Sequence, residues 1–266
     1  MSQHKQGSDT GLLNLQWAQA LADGLAGAGV AELVLSPGSR STPLALAFLR
    51  QPSIRCHVVL DERSAAFFAL GLAKATSRTV ALLCTSGSAP ANWLPAVVEA
   101  DLGAVPLLLL SADRPPELQG WGANQTVAQD GMYANHVRAA HAPGAPFTGF
   151  SERWLHRLAA RAVEESRWPL PGPVHLNLPF REPLLPAAAA SQWPLPQALP
   201  GCLPTRPQLQ PDPAAILQIA ESLAGRPGAI VCGGADGIGF SAAFAETLIA
   251  LARKLDCPLL AETLSG

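Results

Sequence analysis

The chain has 266 residues, a formal net charge of −2 and 48% hydrophobic residues. Only 14% of its residues are charged, which excludes a disordered chain, and the small net charge argues against an electrostatic nucleic-acid interface. No uncharged apolar run reaches the length of about 18 residues that a membrane span requires. Five scattered cysteines without C-x-x-C spacing, and a polar N-terminus without a signal-peptide core, favour a cytoplasmic location.

Short apolar strands alternate with helical patterns over most of the chain. We predict a flexible tail over residues 1–11 and an α/β domain over residues 12–185. Its predicted strands are 32–36, 57–60, 79–84, 106–110 and 173–178, and its predicted helices are 12–28, 43–50, 62–77, 89–100 and 151–166. This alternation is typical of an open parallel sheet with helices on both faces. Ligands of such sheets bind outside the carboxyl ends of the strands, so the loops after the strands form the candidate site.

A second α/β pattern follows a proline-rich stretch. Residues 186–212 are predicted to be a stiff linker, because ten prolines lie between Pro179 and Pro213 inclusive. The predicted elements after it are a helix at 213–224, a strand at 228–232, a helix at 241–255 and a strand at 258–261. Such a short sheet leaves an exposed edge, so we expect residues 213–266 to be a truncated part of a Rossmann-like domain.

The first loop after a strand carries an arginine beside the start of a helix. It reads Ser-Pro-Gly-Ser-Arg-Ser-Thr-Pro over residues 36–43, with Thr42 as the predicted N-cap of the helix. The helix N-terminus favours an anion, and the Arg40 guanidinium can bind a carboxylate through two hydrogen bonds. A capped turn with a solvated arginine explains the same residues equally well.

The fourth loop carries a second arginine. Arg114 precedes two prolines that stiffen the chain, and a polar stretch with Asn124 and Gln125 follows. Long loops in compact domains are usually functional or disordered, and the proline and tryptophan content of this loop argues against disorder. We therefore interpret the fourth loop as part of a binding site.

The second and third loops allow several interpretations. Asp61 fits a helix N-cap and Glu62 fits the helix dipole, but a carboxylate at a strand end can also transfer a proton. In the third loop, over residues 85–92, Ser86 or Ser88 can cap the next helix, or the loop can hold an anion. Alternatively, its glycine permits a close approach of another backbone.

Five segments of the chain resemble a known family: LSPGSRSTPLALA, LDERSAAFFALGLAK, TSGSAPANWLPAVVEA, LSADRPPELQGWGANQT and PVHLNLPFREPL. In this order they are similar to the 2-succinyl-5-enolpyruvyl-6-hydroxy-3-cyclohexene-1-carboxylate (SEPHCHC) synthases, thiamine-diphosphate enzymes of menaquinone biosynthesis. The resemblance is strong over residues 12–185. It implies a pyrimidine-binding domain, a Rossmann-like middle domain and a diphosphate-binding third domain. The implied reaction is decarboxylation of 2-oxoglutarate and addition of the succinyl carbanion equivalent to isochorismate.

The resemblance also implies roles for individual residues. Glu62 would be the catalytic and cofactor-binding carboxylate, which contacts the aminopyrimidine ring of thiamine diphosphate and promotes formation of the ylid. Ser39, Arg40, Arg114 and Gln125 would bind and orient isochorismate. Two arginine forks suit the two carboxylates of that substrate.

The sequence departs from the family at the metal site. Members of the superfamily bind Mg²⁺ or Mn²⁺ through a Gly-Asp-Gly motif and a later Asn, but here Asp236 lies in Ala-Asp-Gly and the last Asn is Asn177. We therefore expect no metal ligand in this chain, a second subunit that completes the site in a homodimer or homotetramer, and no turnover by the chain alone.

Two alternatives to a SEPHCHC synthase remain. The first is another thiamine-diphosphate-dependent 2-oxoacid decarboxylase or synthase, of the acetolactate-synthase or sulfopyruvate type. The second is a non-catalytic α/β module that binds carboxylates.

Overall fold

The computed structural model describes residues 9–187, 193–200, 210–233 and 242–262. The chain divides into two compact units, residues 1–203 and 204–266. Residues 1–8 of the predicted tail lie outside the described residues. The tail prediction extends too far at its other end, because the first helix begins at Thr10 with Asp9 as its N-cap. The Asp9 carboxylate accepts a hydrogen bond from the Leu12 amide at 3.1 Å, which explains the earlier start.

The larger unit contains a six-stranded sheet. Its strands are β1 (Glu32–Leu35), β2 (Arg55–Val58), β3 (Val80–Cys84), β4 (Leu107–Asp113), β5 (Ala139–His141) and β6 (Pro173–Pro179). They lie in the order β2-β1-β3-β4-β6-β5, and every neighbouring pair is parallel. This confirms the predicted open parallel sheet. The edge strand β5 was not predicted, since three residues are too few to show a periodic pattern.

Five helices cover the sheet. They are α1 (Thr10–Gly27), α2 (Thr42–Arg50), α3 (Glu62–Thr76), α4 (Leu94–Leu102) and α5 (Glu152–Glu165). Helices α1, α2 and α5 pack on one face, and α3 and α4 pack on the other. Helices therefore cover both faces, as predicted. The predicted helix at 89–100 is instead a 3-10 turn, Pro90–Trp93, followed by α4. An α-helix through this region would need an amide proton on Pro95, which proline lacks.

Two predicted helix caps have different outcomes. Asp61 is the N-cap of α3, and its carboxylate accepts from the Ser64 amide at 2.8 Å. The predicted cap of α2 was wrong by one residue, because Ser41 occupies the N-cap and Thr42 is already helical. The Thr42 hydroxyl donates to the Ser39 carbonyl oxygen at 2.7 Å instead of capping an amide.

The smaller unit follows the predicted alternation. Its elements are α6 (Pro213–Leu223), β7 (Ile230–Cys232), α7 (Ala242–Leu255) and β8 (Leu259–Ala261), with β7 and β8 paired in parallel. Trp193, in the predicted linker, belongs to the larger unit, where the Arg50 guanidinium lies 5.7 Å from the centre of its ring. None of the helices in the described residues is long and apolar enough to cross a membrane.

Candidate active site

The carboxyl ends of the parallel strands meet at one edge of the sheet. Because β1 lies between β2 and β3, the chain turns to opposite faces after β1 and after β3, and such a reversal opens a crevice for ligands. The loops that leave these two strands are in contact. A Cβ atom on Gly38 would lie 2.3 Å from the Cβ of Thr85, so only glycine permits this approach.

Arg40 is buried at this edge, with 5% of its surface exposed. One guanidinium nitrogen, Nη1, donates to the Phe180 carbonyl oxygen at 2.9 Å, and the other, Nη2, pairs with Glu182 Oε1 at 2.7 Å. The Nε of Arg40 is buried and has no hydrogen-bond partner. The segment after β6 therefore fixes the side chain of Arg40. Its Phe180 carbonyl and Glu182 carboxylate occupy hydrogen-bond donors that the sequence analysis assigned to a ligand.

Arg114 connects the fourth loop to the third. Its Nη1 donates to the Ser86 hydroxyl oxygen and to the Gln125 carbonyl oxygen, the latter at 3.0 Å. The Gln125 side chain in turn donates to the Ser86 carbonyl oxygen at 3.0 Å. Ser86, Arg114 and Gln125 thus form one hydrogen-bonded cluster. The sequence predicted Arg114 and Gln125 as site residues, whereas Ser86 was predicted to be a helix cap or an anion contact.

The two arginines influence each other electrostatically. Partial burial, and then the positive charge of Arg40, lower the pKa of Arg114, while Asp113 and Glu182 act in the opposite direction. Each guanidinium group adds to a positive potential at the carboxyl edge of the sheet. The arrangement is suited to a ligand with negatively charged groups.

Glu62 lies on another part of the same edge. It is the first residue of α3 and half-buried. Burial, and then the negative charge of Glu62, raise the pKa of the Cys84 thiol at the end of β3. Glu62 shares no hydrogen bond with Arg40 or Arg114. Ser39 has an exposed side chain in the first loop, and its carbonyl oxygen accepts from Thr42.

A pair of buried carboxamides lies behind the loops, and sequence reasoning missed it. Gln129 Oε1 accepts from the Gly87 amide at 2.8 Å, and Gln129 Nε2 donates to Asn177 Oδ1 at 2.9 Å. Asn177 has a signal in the sequence, since it is a polar residue inside the apolar strand β6. Gln129 has none, because it lies in an irregular loop.

The residues that the structure describes contain no group of three or more His, Cys, Asp or Glu side chains that is arranged to hold a metal ion. The edge of the sheet carries the guanidinium groups of Arg40 and Arg114, the side-chain amide of Gln125 and the carboxylate of Glu62.

Comparison with known proteins gives the class of this domain. The sequence profile described as "Thiamine pyrophosphate enzyme, N-terminal TPP binding domain" matches residues 15–136. Benzoylformate decarboxylase from Polynucleobacter necessarius superposes with a TM-score of 0.72, at 20% identity, over 92% of this chain and 43% of that chain. At this identity the superposition shows a shared fold. Residues 15–136 thus resemble the N-terminal domain of thiamine pyrophosphate enzymes.

Curated relatives define the family more narrowly. The chain is 52% identical over 262 residues to a SEPHCHC synthase of Dechloromonas aromatica, and the match covers 97% of this chain and 47% of the relative. It is 47% identical over 252 residues to the SEPHCHC synthase of Geobacillus kaustophilus, covering 94% of this chain and 43% of that relative. The chain is similar to SEPHCHC synthases over nearly its whole length, and it spans about half the length of the curated relatives it matches.

Proposed function

We propose that this chain supplies the pyrimidine-binding domain and the isochorismate-binding loops of a SEPHCHC synthase. The reaction joins the decarboxylated remainder of 2-oxoglutarate to isochorismate and uses thiamine diphosphate in menaquinone biosynthesis. The observation that carries this proposal is the pair of arginines, Arg40 and Arg114. Both are anchored by protein carbonyl or hydroxyl groups on loops at the carboxyl edge of the sheet, and the positive charge of Arg40 contributes to lowering the pKa of Arg114.

The arginine pair matches an acceptor with two carboxylates. Isochorismate carries two such groups, and arginine binds a carboxylate through charge-assisted hydrogen bonds in a fixed geometry. Gln125 adds a polar side chain beside Arg114, and Ser39 adds an exposed hydroxyl in the first loop. Their role in the proposal is to bind and orient isochorismate, so that its reacting carbon is held still.

Glu62 fits the pyrimidine end of the cofactor. A half-buried carboxylate at the start of α3 can exchange a proton with a ring nitrogen, and its negative charge is close enough to the buried Cys84 to raise the pKa of that thiol. Thiamine diphosphate, when bound, supplies the nucleophilic carbon on which a 2-oxoacid loses carbon dioxide. In the proposal Glu62 binds the aminopyrimidine ring and acts as the catalytic acid-base group.

Other parts of the proposal concern groups outside the described residues. Mg²⁺ or Mn²⁺ and the diphosphate would be bound by a further domain, and a second subunit would supply that domain in a homodimer or homotetramer. An exposed apolar surface beside Glu62 supports this, since Leu60, Phe67 and Phe68 are 79%, 40% and 46% exposed. We also propose that the first domain extends from Thr10, at the start of α1, to residue 185 and the second over residues 213–266, with residues 186–212 between them, and that the location is cytoplasmic.

Calorimetry tests the binding part of the proposal. We expect the chain to bind isochorismate and the variants Arg40→Met and Arg114→Met to bind it about 10- to 100-fold more weakly, because each loses charge-assisted hydrogen bonds. Arg153→Met, an exposed change on α5, is the matched control. Equal losses in all three variants would contradict a specific site.

A hybrid enzyme tests the catalytic part. In this hybrid the chain replaces the matched part of the Dechloromonas aromatica relative. We expect it to consume isochorismate in the presence of 2-oxoglutarate, thiamine diphosphate and Mg²⁺. Glu62→Gln should lower kcat by about 10²- to 10⁴-fold, and the exposed control Glu99→Gln should not. A hybrid that decarboxylates 2-oxoacids but ignores isochorismate would favour another thiamine-diphosphate enzyme. A folded hybrid that binds isochorismate without turnover would favour a non-catalytic carboxylate-binding module.

A further inference from the structure

A buried hydrogen-bond network connects the ends of three adjacent strands. Gln129 Oε1 accepts a hydrogen bond from the amide of Gly87, which follows β3. Gln129 Nε2 donates to the Ala112 carbonyl oxygen in β4 at 3.1 Å and to Asn177 Oδ1 in β6 at 2.9 Å. Gln129 is 1% exposed. One acceptor and both amide protons of its side chain are therefore used within the protein.

The orientation of each amide in this network follows from its neighbours. Asn177 Nδ2 lies 2.9 Å from Asp113 Oδ2 and 2.8 Å from Asp130 Oδ1, and ionised carboxylates accept hydrogen bonds but do not donate them. The amino group of Asn177 must therefore face the two aspartates, which turns its Oδ1 toward Gln129. The amino group of Gln129 must then face Asn177, and its Oε1 faces the Gly87 amide.

The same reasoning extends to a histidine. The Ser111 hydroxyl donates to Asn177 Oδ1 at 3.1 Å, so its oxygen accepts from His175 Nε2 at 2.7 Å. His175 then carries its proton on Nε2. Burial lowers the pKa of His175 to about 4, which agrees with a neutral ring in this position. Hydrogen-bond donation thus runs in one direction, from the Gly87 amide through Gln129 and Asn177 to the two aspartates.

Gly87 is the neighbour of Ser86, which holds Arg114. We infer that Gln129 is a positioning residue: through the Gly87 amide it fixes Ser86, and through Ser86 it sets the Arg114 guanidinium for an anionic ligand. The ligand, isochorismate, rests on the proposed function, whereas the positioning of the third loop does not. Gln129 is buried behind the third loop. Its effect reaches the ligand through two other residues.

Two measurements on the 266-residue chain test this inference. Gln129→Met keeps a similar volume but removes the acceptor for Gly87, so we expect hydrogen exchange at the Gly87 amide to rise about 10-fold or more, and isochorismate to bind about 10-fold more weakly. Gln129→Glu keeps an acceptor for the Gly87 amide but loses the two N–H donors of the glutamine side chain. The negative charge of the new carboxylate then faces two oxygen atoms, Asn177 Oδ1 and the Ala112 carbonyl oxygen. We expect the same loss of affinity at neutral pH.

The matched control is Gln19→Met, a buried glutamine on α1 whose side chain donates to Asp23 at 2.8 Å. It should lower the melting temperature without changing exchange at Gly87 or the affinity for isochorismate. In the hybrid enzyme, Gln129→Met should raise the KM for isochorismate and leave the KM for 2-oxoglutarate unchanged.

The measurements distinguish failure of the positioning role of Gln129 from failure of the proposed function. Unchanged exchange at Gly87 in Gln129→Met, or the same effects in Gln19→Met, would overturn the positioning role. If the unaltered chain fails to bind isochorismate, the proposed function fails, and the exchange measurement still decides whether Gln129 positions the loop.

Discussion

Arg40 and Glu182 form an ion pair in which the two partners differ sharply in burial. Nη2 of the arginine lies 2.7 Å from Oε1 of the glutamate, while 6% of the arginine side chain and 70% of the glutamate side chain are exposed. The arginine is anchored and the glutamate extends into solvent. The carboxylate of Glu182 therefore occupies the position that a carboxylate of a ligand would take on this guanidinium.

This geometry predicts that Glu182 competes with an anionic ligand for Arg40. Replacing it with glutamine removes the negative charge, so we expect Glu182→Gln to bind isochorismate about 2- to 5-fold more tightly, the size of an interaction with an exposed partner. Calorimetry measures the affinity. Glu117→Gln removes the same charge from an exposed pair with Arg181 and is the control for net charge. Weaker binding in Glu182→Gln would mean that this carboxylate supports the arginine.

Gly87 is predicted to be intolerant of a side chain for two reasons. Its φ of +84° is unfavourable for other residues, and a Cβ would lie 2.6 Å from Cγ of Gln125. Gly120 has a similar φ of +79° but open space around it. We expect Gly87→Ala to lower the free energy of unfolding by about 1–3 kcal/mol more than Gly120→Ala in urea titrations, since overpacking adds to the backbone strain. Equal costs would show that Gln125 moves aside freely.

Ser86 should matter more than Ser88 for ligand binding. The Ser86 hydroxyl oxygen accepts from Arg114, whereas the exposed Ser88 offers only its carbonyl oxygen, to Asn92. Ser86→Ala removes one of the two acceptors of Arg114 Nη1, so we expect isochorismate to bind about 10-fold more weakly, with little change for Ser88→Ala. Calorimetry on both variants makes the comparison. Similar affinities would remove Ser86 from the site.

His175 predicts a loss of stability in acid. Burial lowers its pKa to about 4, against 6.5 for the exposed side chain, and the charge of Asp130 only partly opposes this. Between these two values the unfolded chain binds more protons than the folded chain. The free energy of unfolding contributed by His175 therefore decreases as the pH falls from about 6.5 to about 4, by at most about 3 kcal/mol.

Urea titrations of the chain and of His175→Gln at pH 7 and pH 4.5 measure this contribution. We expect the unaltered chain to lose more stability than the variant between the two values. Burial raises the pKa values of Asp23 and Asp113, so these two carboxyl groups add stability as the pH falls. Both are present in the unaltered chain and in the variant, and their contributions cancel in the comparison. Equal pH dependence in the two proteins would show that His175 is not held in its neutral form.

The sequence by itself determined the fold class, and it selected the loops after the strands as the candidate site. The apolar strand Val80–Cys84 and the run of four leucines that begins β4 have no polar face, which requires cover on both sides, and a parallel sheet supplies it with helices. The resemblance in the loops then selected Arg40, Arg114, Gln125 and the other candidate residues. Local signals failed for the cap at Thr42, because both neighbouring hydroxyls suit an N-cap.

Only the tertiary structure decided which side chains meet. Arg40 contacts Phe180 and Glu182, and Gln129 contacts Gly87, because β6 lies beside β4 and the loops of distant segments converge at one edge. Periodicity specifies which face of an element is buried, but not the order or register of the strands. Ser111 and Asn177 are opposite each other solely because β4 and β6 pair in that register. The directional network behind the arginines depends on this long-range pairing.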